Sequence, residues 1–522
     1  MAARGRDLPR GPRLFTVLLL LNAGSLAVST AFSSNPSLSL YGGTWRCLGA
    51  IVQASAMLFA WLVARESAGR PDRGLVVLRG VAIAAMAIAA CGIAQYFGWH
   101  PPMPRAAFAT WLLMAVFLSL ALAKRETERI WRAVAQIAAA LAFAALLLTG
   151  ARAALPGLLA GGLVWLGWRR FRLPRRALAA AALAIVGATG WYFSPLGQRS
   201  RAGAQALPWR DSLSMAATRP VAGYGPEVFP GQFPLFESQA LAEQDPDSVH
   251  ESPQNILLDA LVSQGVTGLL LLCGLCAVGF SAAWKLAAGW LAAALAAGMV
   301  SLQFTAFTVP TYVLFLSTIA LAAGLATEAA APRRSVALTA AAPVLALALL
   351  YFAARITLAD HSLALTRRLL DARNLPAATA EYETYWFWHL PGASADLWYS
   401  RSWMEVARST SDIGVLEQAM EIAEQAAERA TESAGEPSAA WYNLAQISAL
   451  HQDYDAAENA MRRAIAVRPN WFQPHWMLAQ QLRLQSRLEE AEKEAAVAAQ
   501  LDNGHHPEVA KTLADIRAQP RH

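Results

Sequence analysis

Charge is scarce in this sequence. Only 15% of its 522 residues are Asp, Glu, Lys or Arg, whereas 56% are hydrophobic. Such averages fit a polytopic membrane protein fused to something soluble, and argue against an ordinary water-soluble domain. Cysteine is scarcer still: Cys47, Cys91, Cys273 and Cys276 are the four, and all sit in apolar segments. Cys273 and Cys276 have metal-motif spacing, but their span begins Leu269-Leu270-Leu271-Leu272, so they read as small hydrophobic residues. No metal and no other cofactor is expected. The formal charge of +6 does not point to nucleic acid, because Lys and Arg gather in short clusters between apolar runs, as membrane orientation requires. Charged or broken mid-membrane helices and symmetry between halves are not visible either, which weighs against a transporter.

What is present is a series of apolar windows. They recur near 14–32, 46–64, 80–98, 106–123, 133–149, 153–168, 177–194, 256–280, 286–303, 311–327 and 336–353, about eleven helices in all. The fifth and sixth are parted only by Gly150-Ala151-Arg152. With the N-terminus inside, the basic loops 65–79, 124–132, 169–176 and 328–335 and the turn at Lys285 all fall on the cytoplasmic side. The connections 33–45, 99–105 and 304–310 hold almost no Lys or Arg, and are external. The stretch MAARGRDLPRGPR and the apolar run after it read as a retained signal anchor.

A polar insert of roughly sixty residues, 196–255, interrupts the apolar pattern, and a loop of that length is functional or disordered. Its aromatic, Gly and Pro punctuation argues for function. It carries Arg199, Arg201, Arg210 and Arg219, then an acidic half from Glu227 to Glu251, with His250 beside Glu251 at the membrane re-entry. It faces outward by the same count, as does everything after Arg355. Arg152 lies at the external mouth of the membrane domain, where an ionisable residue is a functional candidate.

Residues 358–515 read as soluble helical repeats. WYNLAQISALHQDYDAAENAMRRAIAVRPN places Trp441, Leu444, Ala445, Tyr454, Ala457, Ala464 and Pro469 at tetratricopeptide-repeat positions. Adding the 34-residue period to Leu444, Ala445, Ala457 and Ala464 lands on Leu478, Ala479, Ala491 and Ala498. The expected array has about three to four units with a concave face, able to recruit a protein partner. The run Tyr385-Trp386-Phe387-Trp388 reads as inter-repeat packing, with sugar stacking as the alternative.

TRPVAGYGPEVFPGQFP followed by ESPQNILLDALVSQGVTGLLLL resembles the signature region of the bacterial O-antigen ligase and polymerase superfamily. Weaker echoes are FSSNPSLSLYGGTWRCLG, AQYFGWHP, TGARAALPGLLAG, WRDSLSM and VSLQFTAFTVPTY, in the family's order over residues 14–350. The fold expected is therefore all-α. A polytopic glycosyltransferase-like membrane domain, 1–355, would carry a periplasmic loop at 196–255, and a tetratricopeptide superhelix would follow at 356–522. The resemblance implies a metal-independent, inverting glycosyltransferase of the bacterial inner membrane. Its donor would be an undecaprenyl-pyrophosphate-linked glycan on the periplasmic face, and its acceptor a lipid core, a growing polysaccharide or a protein.

The chemistry such a transfer needs can be sought in the residues. A pyrophosphate leaving group develops negative charge that arginine forks suit. Arg152 and Arg210 are the candidates, with Arg201 and Arg219 in reserve for substrate binding. The acceptor hydroxyl must lose a proton, and here the sequence departs from the family, whose His before Asn falls on Gln254. Glutamine cannot take that proton, though it can hydrogen-bond a sugar. Gln254 and Asn255 are thus expected to bind substrate. Either His250 or Glu251 replaces the missing base, or arginine-assisted departure carries most of the catalysis. If the re-entering helix begins early, His250 and Gln254 lie one turn apart on one face. Asp259 is read as capping or bracing the site. The competing reading is an inactive membrane scaffold that recruits envelope-polysaccharide partners through its repeats.

Overall fold

The computed structural model describes residues 12–43, 46–98, 105–151, 154–171, 206–246, 248–328 and 336–519. These residues form helices and turns, with no strand among them. The chain divides into two compact units. The first comprises Met1–Leu40, Trp45–Glu227 and Ser252–Ala331; the second comprises Tyr41–Thr44, Val228–Glu251 and Pro332–His522.

Among the described residues of the first unit, five helices are long and apolar enough to cross a membrane: Arg13–Ala31, Pro71–Tyr96, Ala106–Arg125, Arg129–Leu148 and Ile256–Lys285. Shorter apolar helices at Ala154–Trp168, Gly289–Ser301 and Val309–Leu325 pack among them. The chain is a multi-pass membrane protein. Two of its helices bury small residues and expose large ones, the inverse of a soluble bundle. Ala135, Ala138, Ala142 and Ala145 are buried along one face of Arg129–Leu148, while Ile130, Ile137 and Leu147 are exposed. Leu155, Leu159, Leu163 and Leu166 form an exposed stripe on the helix that follows. Small faces let backbones approach where lipid removes the hydrophobic drive between helices. At Gly157, a Cβ would come within 2.6 Å of the Ala297 carbonyl oxygen.

The expected break between the fifth and sixth apolar windows is present: one helix ends at Leu148, Gly150 takes φ +61°, and the next begins at Ala154. The window 177–194 lies outside the described residues. The connectors also sort by end. Arg79 pairs with Glu126 at 2.8 Å and Glu128 at 3.2 Å, joining two of the basic connectors. Arg46 donates to the Phe307 carbonyl at 3.2 Å and Arg219 to that of Phe32 at 3.3 Å, joining segments at the Lys/Arg-poor connections.

In the second unit, helices from Asp396–Ser409 to Pro507–Arg517 each pack on the next in sequence. Tyr454 and Leu488, opening two successive second helices, are 34 residues apart, as are Leu450 and Leu484, closing the first ones. Ala445, Ala457 and Ala464 are fully buried, and so are Leu478, Ala479, Ala491 and Ala498 one period later. Tyr385 is buried and Trp388 packs against the core of this unit, whereas Phe387 is exposed. The last apolar window and the first polar stretch after it form one continuous helix, Val336–Asp371.

Candidate functional site

The signature turn is built around a break in a membrane helix. Ile256–Lys285 is interrupted at Gly265, whose φ +68° and ψ −165° are open essentially to glycine alone. Such a break strands carbonyl and amide groups that the hydrocarbon region cannot solvate. The turn 220–225 takes them up. Tyr224 N–H donates to the Val262 carbonyl at 2.8 Å and Gly225 N–H to that of Ser263 at 2.9 Å, while Val266 N–H donates to the Pro220 carbonyl at 2.7 Å. Gly223 and Gly225 have φ of +69° and +101°, and a Cβ on either would meet atoms at 2.5 Å, in the Ser263 carbonyl or the Ser33 and Ser39 hydroxyls. The WRDSL helix, Ala206–Thr218, is tied to the same corner by Trp209 Nε1, which donates to the Pro253 carbonyl at 3.0 Å.

Beneath this turn lies a buried ion cluster that sequence reasoning missed. Arg46 grips Asp259 with both forks, Nη1 to Oδ1 at 3.1 Å and Nη2 to Oδ2 at 2.6 Å. Its Nε lies 3.5 Å from Glu227 Oε1. All three side chains are largely buried, so two carboxylates share one guanidinium. Glu227 is held at φ +64°, a left-handed conformation that costs a non-glycine residue about 1–3 kcal/mol and is kept where the surroundings over-determine it. A cavity of about 60 Å³ adjoins the cluster, lined by Asn22, Arg46, Gln53, Asp259, Gln264 and Tyr312 among others. The available signal was Arg46 itself, standing at the edge of a connector otherwise almost devoid of basic residues. Asp259, expected to cap or brace the site, makes its contact with Arg46.

The expected site residues fall as follows. Arg152 and Arg201 lie outside the described residues. Arg210 is half-exposed, with Nη2 3.1 Å from Asp211 Oδ1. Arg219 lies over the Tyr224 ring at 4.7 Å. Asn255 is the N-cap of the re-entering helix, its Oδ1 accepting from Leu257 N at 3.0 Å and Leu258 N at 3.2 Å. Gln254 is exposed at φ +49°. The helix therefore starts at Ile256, and the premise of His250 and Gln254 one helical turn apart fails: once Asn255 caps the helix, residues before it are not helical.

His250 and Glu251 belong to the second unit, with the rest of 228–251. This strap packs on the C-terminal helices. Glu237 is buried against Arg468, with Nε to Oε2 at 2.8 Å and Nη2 to Oε1 at 3.0 Å, and Ala242 enters a cluster with Trp471, Phe472 and Leu501. The His250 ring stands edge-on to Phe233 at 5.5 Å and lines a small cavity with Glu237, Glu436, Arg468 and Trp471. Burial pushes the Glu436 carboxyl above the ordinary carboxylate range, with Arg401 and Arg468 opposing the shift.

Two comparisons with known proteins stand beside this geometry. Residues 137–273 match the family model described as O-antigen ligase. The span takes in the WRDSL helix, the signature turn and the broken helix as far as Cys273. An O-antigen ligase of Pseudomonas aeruginosa is 34% identical over 164 residues, 30% of this chain. The match covers 38% of that protein's own length.

Proposed function

We propose that the protein is a membrane glycosyltransferase of the O-antigen ligase kind. It moves a preassembled glycan from undecaprenyl-pyrophosphate to an acceptor on the periplasmic face of the inner membrane. The observation that carries this reading is the coincidence of the O-antigen ligase match, residues 137–273, with the turn stitched into the broken helix. The acceptor is a lipid core, a growing polysaccharide or a protein, since fold and loop do not fix it.

In the reaction, an acceptor hydroxyl oxygen bonds to the anomeric carbon as the bond from that carbon to the pyrophosphate oxygen breaks. The hydroxyl proton passes to a base, and the pyrophosphate departs with the negative charge. Arg210 and Arg152, with Arg219 and Arg201 in support, meet that charge; the resemblance points to such arginines, and no metal is needed in this reading. His250 or Glu251 takes the proton. About eleven spans, with the N-terminus cytoplasmic, fit the way Arg79 and Arg46 gather their connectors into separate groups. The C-terminal helices form a tetratricopeptide array, supported by the 34-residue recurrence of buried alanines. Residues 1–355 make the transferase domain and 356–522 the array.

The second reading is a scaffold without turnover, favoured by Gln254, an exposed amide where the family carries a histidine. The deciding experiment is glycan transfer in membranes from a lipid-linked donor, with Arg152, Arg210, His250 and Glu251 changed singly to Ala. Loss in the arginine variants supports transfer. Four variants equal to wild type would end it in this form, and a wild type that never turns over favours the scaffold.

A further inference from the structure

The cavity beside Arg46 is furnished for a ligand that the protein itself does not supply. Gln264 is 7% exposed and lines this cavity. Its Oε1 is buried and finds no hydrogen-bond partner among the described residues. A buried amide oxygen without a donor is a standing cost, and native structures keep few of them without a reason. Room has been made for this one. Gly268 lies four residues on, across the break at Gly265, and a Cβ there would collide with Cβ of Gln264.

The rest of the lining narrows the ligand. Asn22, Gln53 and Tyr312 add neutral polar groups, and Gln53 spends its amide N–H₂ on the Leu48 carbonyl at 2.7 Å. Among the described residues of the lining, Arg46 is the one cation, and its guanidinium is engaged by Asp259 and Glu227. The Gln264 oxygen and the carboxylate are acceptors, so a group that donates hydrogen bonds is welcome there. The volume, about 60 Å³, holds a few hydroxyl-sized groups, at roughly 10–15 Å³ each.

We infer that this cavity is a subsite for the hydroxyl groups of an uncharged sugar ring, with the Gln264 amide oxygen as an acceptor within it. The assignment rests on the glycan-transfer reading for its substrate class, but not for its test. Sugar hydroxyls reach it from the donor glycan or from a sugar acceptor.

Gln264→Met keeps the side-chain length and removes the amide, and Gln264→Leu guards against a packing fault peculiar to Met. The full-length protein is purified, and its melting temperature is read with and without glucose or N-acetylglucosamine at high millimolar concentration. Both variants are expected to fold, with melting temperatures close to that of wild type. The sugars are expected to raise the melting temperature of wild type and not of the variants. In the transfer assay, KM rises about 10-fold, the loss of one hydrogen bond to substrate. A rise confined to the lipid-linked donor names the donor as the source, and a rise confined to the acceptor names the acceptor. A wild type that does not turn over sinks the transfer reading alone, because the sugar shift still decides the subsite. The subsite is overturned if the sugars raise the melting temperatures of both variants as much as that of wild type. It is overturned equally if neither sugar shifts the wild type.

Discussion

Arg468 and Glu237, 231 residues apart in the chain, form a bidentate ion pair with both side chains buried. Arg468 also donates to the Ser248 carbonyl at 2.9 Å, and Asn470 Nδ2 donates to that of Glu237 at 2.6 Å. The strap 228–251 is thus pinned to the C-terminal helices at both its middle and its end. Part of this helical surface is already occupied, by a segment of the chain's own long insert.

Removing one partner of a buried pair leaves the other charge uncompensated, at about 3–5 kcal/mol. Arg468→Ala is therefore expected to destabilise the second unit severely and to expose 228–251 to limited proteolysis. Replacing both residues by apolar ones of similar volume should cost less than the sum of the single changes. A double-mutant cycle on the full-length protein measures this. Additive effects would show that the pair is not coupled.

Arg46 and Asp259 invite the same cycle in the first unit, with one difference. Because Glu227 also faces Arg46, Asp259→Leu leaves the guanidinium a carboxylate, whereas Arg46→Met takes the shared guanidinium from both carboxylates. Arg46→Met is thus expected to be the more destabilising change, lowering the melting temperature further than Asp259→Leu. The reverse order would mean that Glu227 contributes nothing to the cluster.

The glycines of the signature separate into those the backbone requires and one it does not. Gly265→Ala puts a Cβ against the Pro220 and Val221 carbonyls at φ +68°, and is expected to cost at least about 1–3 kcal/mol and abolish transfer. At Gly231 a Cβ meets nothing nearer than 3.6 Å, so Gly231→Ala is expected to be nearly silent. Melting temperature and transfer in membranes, read together, check both. Equal effects of the two changes would refute the stitched-break account.

What the sequence made legible was local. The break at Gly150 follows from a three-residue interruption, and the repeat register from alanines one period apart. What stayed hidden was long-range. Nothing in the neighbourhood of Arg46 reveals Asp259, 213 residues on, and nothing near Glu237 reveals Arg468. The division at 355 rested on a change from apolar to polar composition. That change reports the solvent around the chain, not the backbone conformation, so one helix runs through it. The apolar window 256–280 begins where Asn255, a strong N-cap, starts the helix, so only the conditional early start that would have put His250 and Gln254 on one face fails.

Glu436 supplies the last expectation, through pH. Burial raises its carboxyl in the folded protein, so folding favours the protonated form. The stability this contributes is complete below the unfolded carboxylate value and is lost as pH rises through the folded one. Glu436→Gln cannot ionise. The variant should therefore lack that part of the pH dependence and, near neutral pH, melt above wild type. Thermal unfolding of the full-length protein from about pH 4 to about pH 8, spanning the carboxylate range, checks this. If both proteins have the same pH profile, Glu436 is solvated enough to ionise freely, and the cavity it shares with His250 and Arg468 is open to water.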